Sequence, residues 1–265
     1  MINLHLIGIG TGNPDHLTAQ AVRAMNDADL ILLPRKGDAK VDLIDLRRDI
    51  CAAVLTRPVR VIEFDLPVRD ARHGYLAGVR DWHDAIARSW TAQIAHHLSD
   101  GGRLALLVWG DPSLYDSSLR IADRLARDGL SISVQVIPGI TSIQALTAAH
   151  AISLNRLGRP VLITTGRQLR ERGWPSGADD IVVMLDDGSG FASLDPHGID
   201  IWWGAYLGMA QQVTDAGPLG EAGPRIAALR TEARARHGWI MDVYLLRRRA
   251  VTTDPAATAG DLPAG

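Results

Sequence analysis

The chain has 265 residues, 46% of them apolar and 22% charged, with a formal charge of −2, which suits one large or two modest cores and leaves no basic excess for a nucleic acid. One cysteine, Cys51, excludes an internal disulfide or multi-cysteine metal site, and the nine histidines show no HExxH-like spacing, so no metal is expected. No run approaches the roughly 20 continuous apolar residues of a membrane span, and Met1-Ile2-Asn3-Leu4-His5 lacks the basic flank of a secretion signal, so a cytoplasmic protein is expected.

From the N-terminus, short β-rich runs alternate with amphipathic stretches, the pattern of a parallel sheet with crossover helices. Strands are predicted at 4–7, 30–33, 59–62, 104–108 and 132–137. A helix is predicted over 17–28, with Thr18 as N-cap and apolar Ala21, Val22, Met25 and Ala28. Others cover 41–54 and 76–98, the last with Leu76, Val79, Trp82, Ile86, Trp90 and Ile94 at helical spacings. A further helix is predicted over 114–128, and another ends near Ala151. Beyond Ala151, strands are predicted at 161–164, 181–185, 199–206 and 239–246, while helical periodicity thins. We therefore expect two domains, 1–152 and 153–250, and a polar tail, 251–265, with too little to bury to become ordered.

Three loops after strands stand out, because ligands in open α/β sheets gather at the carboxyl ends of strands. The first, Gly8-Ile9-Gly10-Thr11-Gly12-Asn13-Pro14-Asp15-His16-Leu17-Thr18, has glycines that permit positive φ and close backbone approach. It fits neither nucleotide fingerprint. The third glycine of GxGxxG would fall at Asn13, the second strand ends Leu33-Pro34-Arg35-Lys36 without a ribose-binding acid, and no Gly-Lys-Ser/Thr follows. The second loop is Trp109-Gly110-Asp111-Pro112-Ser113-Leu114-Tyr115-Asp116 and the third Pro138-Gly139-Ile140-Thr141-Ser142. Taken singly, each reads equally well as an ordinary turn whose Asp111, Ser113, Thr141 or Ser142 caps a helix.

Taken together and in this order, the three loops resemble the tetrapyrrole methylase family, which transfers methyl groups from S-adenosylmethionine to porphyrinoid carbons. The resemblance runs from Asn3 to about Leu246. It implies an α/β fold of two domains, an N-terminal five-stranded parallel sheet with helices and a C-terminal five-stranded mixed sheet. S-adenosyl-L-methionine would lie in the cleft between them, and the chain would form a homodimer. Within the family, Trp109 to Arg120, the Trp82-His83 pair and Trp203-Gly204-Ala205-Tyr206-Leu207-Gly208 resemble a branch of aerobic cobalamin (vitamin B12) biosynthesis. That branch methylates C1 of precorrin-5 and releases its acetyl group as acetate, giving precorrin-6A. The siroheme-type members carry a Gly-Gly-Asp-Pro-Phe-type loop ending in Gly-Arg-Gly, which Trp109 and Asp116-Ser117-Ser118 do not fit. A sister corrinoid methyltransferase acting at another carbon is the nearest alternative, and a nucleotide-binding α/β enzyme the next.

Carried over by motif, the resemblance implies that Thr11, Asp111, Leu114, Thr141 and Ser142 line the cofactor cleft, joined from the second domain by Met184, Leu185, Ala205 and His237. Met184 reads equally as strand core. Deacetylation implies a general base. Asp15 is expected as that base or as a hydrogen-bond acceptor to the macrocycle, and Tyr115 as donor to a developing enolate oxygen. Asp111 reads alternatively as loop support. Arginine supplies all but two of the 28 basic residues, Lys36 and Lys40 being the exceptions. Arg35, Lys36, Arg69 and Arg72 are therefore expected either to hold substrate carboxylates or to be solvated surface charges.

Overall fold

A computed structural model describes residues 1–35, 41–67, 75–188 and 190–249. The predicted tail, 251–265, together with Lys36, Arg69 and Arg72, lies outside the described residues.

The first half contains strands β1 (Ile2–Gly8), β2 (Leu30–Arg35), β3 (Arg60–Asp65), β4 (Gly102–Val108) and β5 (Ile132–Ile137). They form one parallel sheet in the order β3-β2-β4-β1-β5. Successive side chains of a strand point to opposite faces, so its central strands, covered on both, carry buried apolar residues on each face. Leu4, Leu6, Leu30, Leu32, Leu104 and Leu106 meet Ile86, Trp90 and Ile94 of α3 (Tyr75–His97) and Ile121 and Leu125 of α4 (Ser118–Arg127). On the opposite face, Ile7, Ile31, Leu33 and Leu107 meet Ala21 and Met25 of α1 (Ala19–Asp27) and Ile44, Ile50 and Cys51 of α2 (Val41–Val54). Thr18 is the N-cap of α1, its hydroxyl accepting from the Ala21 amide at 3.0 Å. Helix α4 starts at Ser118, later than predicted, because Tyr115 takes φ +50° and the Asp116 carboxylate accepts from the Ser118 amide at 2.6 Å.

The second half holds β6 (Val161–Thr165), β7 (Asp180–Met184), β8 (Ile199–Ala205), β9 (Val213–Pro218) and β10 (Asp242–Arg248) in the order β6-β7-β10-β8-β9. Only β6 and β7 run parallel within this sheet, so it is mixed. The sequence reading missed β9, whose Val-Thr-Asp-Ala-Gly-Pro has little strand propensity and finds its partners along β8. It also missed α6 (Gly166–Arg172) and α7 (Leu219–His237). Gly220, Gly223 and Pro224 disfavour a helix at the start of α7. What holds it is burial of Ala222, Ile226, Arg230 and Ala233, spaced to fall on one face. Helix α5 (Ser142–Ala149), from the first half, packs against β8 and β10. Among the described residues, no helix is long and apolar enough to cross a membrane.

Candidate active site

Strands β4, β1 and β5 are parallel neighbours, so the three singled-out loops leave the same edge of the sheet side by side. Their glycines are where the backbones touch. A Cβ on Gly8 would lie 2.6 Å from the Gly139 nitrogen and 2.7 Å from the Gly110 oxygen, and one on Gly139 would lie 2.1 Å from that same oxygen. Gly10 and Gly110, both at positive φ, bridge the first two loops. The Asp111 carboxylate ties the second loop to the third, accepting from the Gly139 amide at 2.9 Å and from the Ser113 amide and hydroxyl at 2.8 and 2.5 Å. Burial alone would raise its pKa, but the Ser113 hydroxyl and the two amides outweigh that and hold it below the usual carboxylate value. Thr141 caps α5 in a capping box with Gln144.

The second sheet closes on these loops from the other side. A Cβ on Gly12 would meet Met209 Cε at 2.5 Å, and one on Gly208 would meet His16 Cε1 at 2.6 Å, while Thr11 Oγ1 lies 3.0 Å from His16 Nδ1. The loop after β8 is thereby seated on the first glycine loop.

Between them lies a cavity of about 270 Å³ lined from both sheets. Thr11, Asp111, Leu114, Tyr115, Thr141, Ser142, Met184 and Leu185 are among its lining residues. Asp15, Ala205 and His237 are not. Asp15 is exposed in the short 3-10 turn Pro14–His16. Ala205 is fully buried at the end of β8, next to Tyr206, which does line the cavity; the His237 ring meets Tyr206 edge-on at 5.2 Å. Sequence reasoning missed Asp116, Asp186, Tyr206, Met209, Met241 and Asp242 as wall residues. Tyr206 lay within a segment it had singled out. Asp186 and Asp242 carried no local signal, because the side chains that bond to them come from other helices and strands of the second half. Arg35, one of the proposed substrate arginines, forms an exposed ion pair with Asp65 at 3.0 Å.

Two physical features set this cavity apart. Of the four described non-glycine residues at positive φ, three (Tyr115, Leu185 and Tyr206) line it, and such conformations cost about 1–3 kcal/mol each. Leu185 is also 65% exposed, an apolar side chain left uncovered at the rim. The described lining contains four aspartates and no lysine, arginine or histidine. Asp186 accepts from Arg170 and the Tyr244 hydroxyl, each at 2.7 Å, and Asp242 from Arg230 at 2.6 Å and the Trp203 indole at 2.7 Å. Burial raises the pKa of Tyr115, whose phenol stays a donor at neutral pH. Apolar walls, strained backbone and carboxylates, two of them (Asp186 and Asp242) already paired with arginines, suit an apolar ring that carries polar or cationic groups, and are ill suited to phosphates.

A profile of the tetrapyrrole (corrin/porphyrin) methylases matches residues 3–223. Precorrin-6A synthase (deacetylating) of a Sinorhizobium species is 47% identical over 253 residues, covering 94% of this chain and 97% of that protein. The crystal structure of a cobalamin-synthesis-related protein (CobF) from Corynebacterium diphtheriae is 39% identical with a TM-score of 0.79, covering 94% and 99% of the two chains. Uroporphyrin-III C-methyltransferase from Thermus thermophilus, solved with S-adenosylhomocysteine, shares the fold at 19% identity and a TM-score of 0.58, over 92% of each chain.

Proposed function

From the premise that the chain belongs to the tetrapyrrole (corrin/porphyrin) methylase family, we infer that it is an S-adenosyl-L-methionine-dependent C-methyltransferase of cobalamin biosynthesis. The relative with 47% identity is a deacetylating precorrin-6A synthase, and the reaction we assign to this chain is the one the family resemblance implies: methylation of precorrin-5 at C1 with release of its acetyl group as acetate. The observation that carries this reading is the cavity built by the three family loops, acidic and apolar and without a cationic side chain among its described walls.

When bound, S-adenosyl-L-methionine supplies an electrophilic methyl group on a sulfonium. The chain's residues fit it: the wall carries carboxylates toward the cationic sulfonium and ammonium, Asp186 and Asp242 being ion-paired with Arg170 and Arg230 and, among the described residues, Asp111 and Asp116 not, and Leu114, Met184 and Leu185 offer an apolar surface for the adenine. Thr11, Thr141 and Ser142 are the polar contacts we assign to the cofactor, with Ala205 and His237 supporting Tyr206 behind the wall. Asp111 holds the second and third loops together. Alignment in a dry cleft is the main catalytic contribution, since an in-line transfer needs the attacking carbon, methyl and sulfur held in one geometry. Tyr115 donates to the oxygen on which charge develops, and Asp15, exposed on the first loop, accepts a hydrogen bond from the macrocycle at the rim.

In this reading residues 1–152 and 153–250 act as two domains with the cofactor between them, and the enzyme works as a cytoplasmic homodimer. Exposed Val134 and Val136 on edge strand β5 leave apolar surface for association. The test is a titration followed by turnover. S-adenosylhomocysteine should bind, and NAD, NADP and ATP should not. Incubation with precorrin-5 and labelled methyl donor should yield one methyl gained and one acetate lost by mass. Absence of S-adenosylhomocysteine binding overturns the whole reading, and methylation without acetate loss assigns the chain to a sister reaction.

A further inference from the structure

A second cavity of about 140 Å³ shares Trp109 and Asp116 with the first. Its walls include Pro34 of β2, Val108 of β4, Trp82 and Trp90 of α3 and Ser117 and Ser118 at the start of α4. Arg47 of α2 also lines it and is only 8% exposed; its guanidinium carbon lies 5.1 Å from the centre of the Trp109 ring and its Nε donates to the Leu107 carbonyl at 3.4 Å. Burial draws the Arg47 pKa down to about 10 against the pull of Asp116 and Cys51, so it is a cation at neutral pH.

The indole nitrogens of Trp90 and Trp109 are both buried and have no hydrogen-bond partner. Leaving such a donor unpaired in the interior is costly, and two on residues that line, with a buried guanidinium, an aromatic-walled space match a small planar group with acceptor oxygens. The space is several times the ~30 Å³ of a water, enough for a two-carbon acyl group. Trp109, Asp116, Ser117 and Ser118, which separate this sequence from the siroheme-type loop, and Trp82 of the Trp82-His83 pair all border this cavity. The residues that differ from simple methyl transfer thus gather beside the cofactor cavity.

Resting on the deacetylating reading above, we propose that this second cavity is the acyl pocket. Arg47, Trp90 and Trp109 hold the acyl oxygen and then the departing carboxylate, and Asp116, in the wall of both cavities, accepts a proton from the attacking water. The oxygen of that water bonds to the acyl carbon as its proton passes to Asp116. The bond from C1 to the acyl carbon then breaks, and its electron pair stays on the ring carbon, which takes the methyl. The acid leaves as acetate and a second proton.

Carbon-13 NMR of labelled acetate titrated with the chain in the presence of S-adenosylhomocysteine tests the pocket. Acetate should bind wild type, and Trp90→Phe and Trp109→Phe, which keep an aromatic ring but lose the donor, should each weaken it about tenfold. Trp90→Phe should leave S-adenosylhomocysteine affinity unchanged. Acetate release in a single turnover with precorrin-5 should fall more than about a hundredfold in Asp116→Asn, with acetate still bound, and persist in Asp15→Asn. No acetate binding to a chain that binds S-adenosylhomocysteine, equal binding by both Phe variants, or normal acetate release by Asp116→Asn overturns the proposal while leaving the methyltransferase reading intact. The corrinoid product, which has lost the acyl group, should bind Trp90→Phe as it binds wild type. Weaker product binding assigns the pocket to a permanent carboxylate side chain and overturns the acyl assignment.

Discussion

Gly8, Gly110 and Gly139 meet backbone to backbone, and the tightest approach leaves 2.1 Å between a Cβ on Gly139 and the Gly110 oxygen. No rotamer change relieves a clash with backbone. Gly139→Ala is expected to lose about 2–3 kcal/mol in urea denaturation and to weaken S-adenosylhomocysteine binding at least tenfold by calorimetry. Asp111 predicts a pH effect of definite sign. Its folded-state pKa lies below its unfolded value, so its stabilisation is present above the unfolded pKa, near 4, and is lost as pH falls through the lower folded value. Asp111→Asn should therefore flatten the acid limb of the stability profile, measured by thermal melts between pH 2 and 6, wild type losing more than the variant. The glycines of the first loop were legible as points of close backbone approach, whereas Gly110 and Gly139 were not, since what they approach belongs to other loops. Asp116 was quoted within its loop but not recognised as a wall residue, since its position depends on the turn made by Tyr115 at φ +50°.

The helices and strands of the first half follow the sequence closely because their apolar periodicity is strong and their caps are local, as at Thr18 and Thr141. Helix α7 shows the opposite case. Glycines and a proline argue against it locally, while one buried face and the ion pair of Arg230 with Asp242, their side chains 10% and 3% exposed, hold it in place. Arg230→Met leaves the Asp242 carboxylate without its cation, with the Trp203 indole, among the described residues, still donating to it. It is expected to cost about 3–5 kcal/mol in chemical denaturation, and Arg230→Met combined with Asp242→Leu should recover much of that loss. Because Asp242 also borders the first cavity, the proposed cofactor site, the single variant should bind S-adenosylhomocysteine more weakly at temperatures where it remains folded.

At the scale of the whole molecule, the order β4-β1-β5 brings residues near 8, 110 and 139 to one edge, and the loop after β8 closes over them. A ligand seated between two sheets binds only the folded arrangement, so it stabilises both. S-adenosylhomocysteine at a hundred times its Kd is expected to add about 2.7 kcal/mol and raise Tm by roughly 5–10 °C, with no change from NAD, as differential scanning calorimetry would show. The sequence by itself determined the class of the fold, most strands and helices of the first half, and the three loops with their family likeness, because periodicity, capping and glycine content are local properties of the chain. Only the tertiary structure decided which side chains share a wall. It placed Asp15 on the outside, brought Asp186 and Asp242 in from the second sheet, and gathered Arg47, Trp90 and Trp109 around a second cavity. Contacts between residues dozens of positions apart depend on strand order and helix packing, which no local pattern encodes.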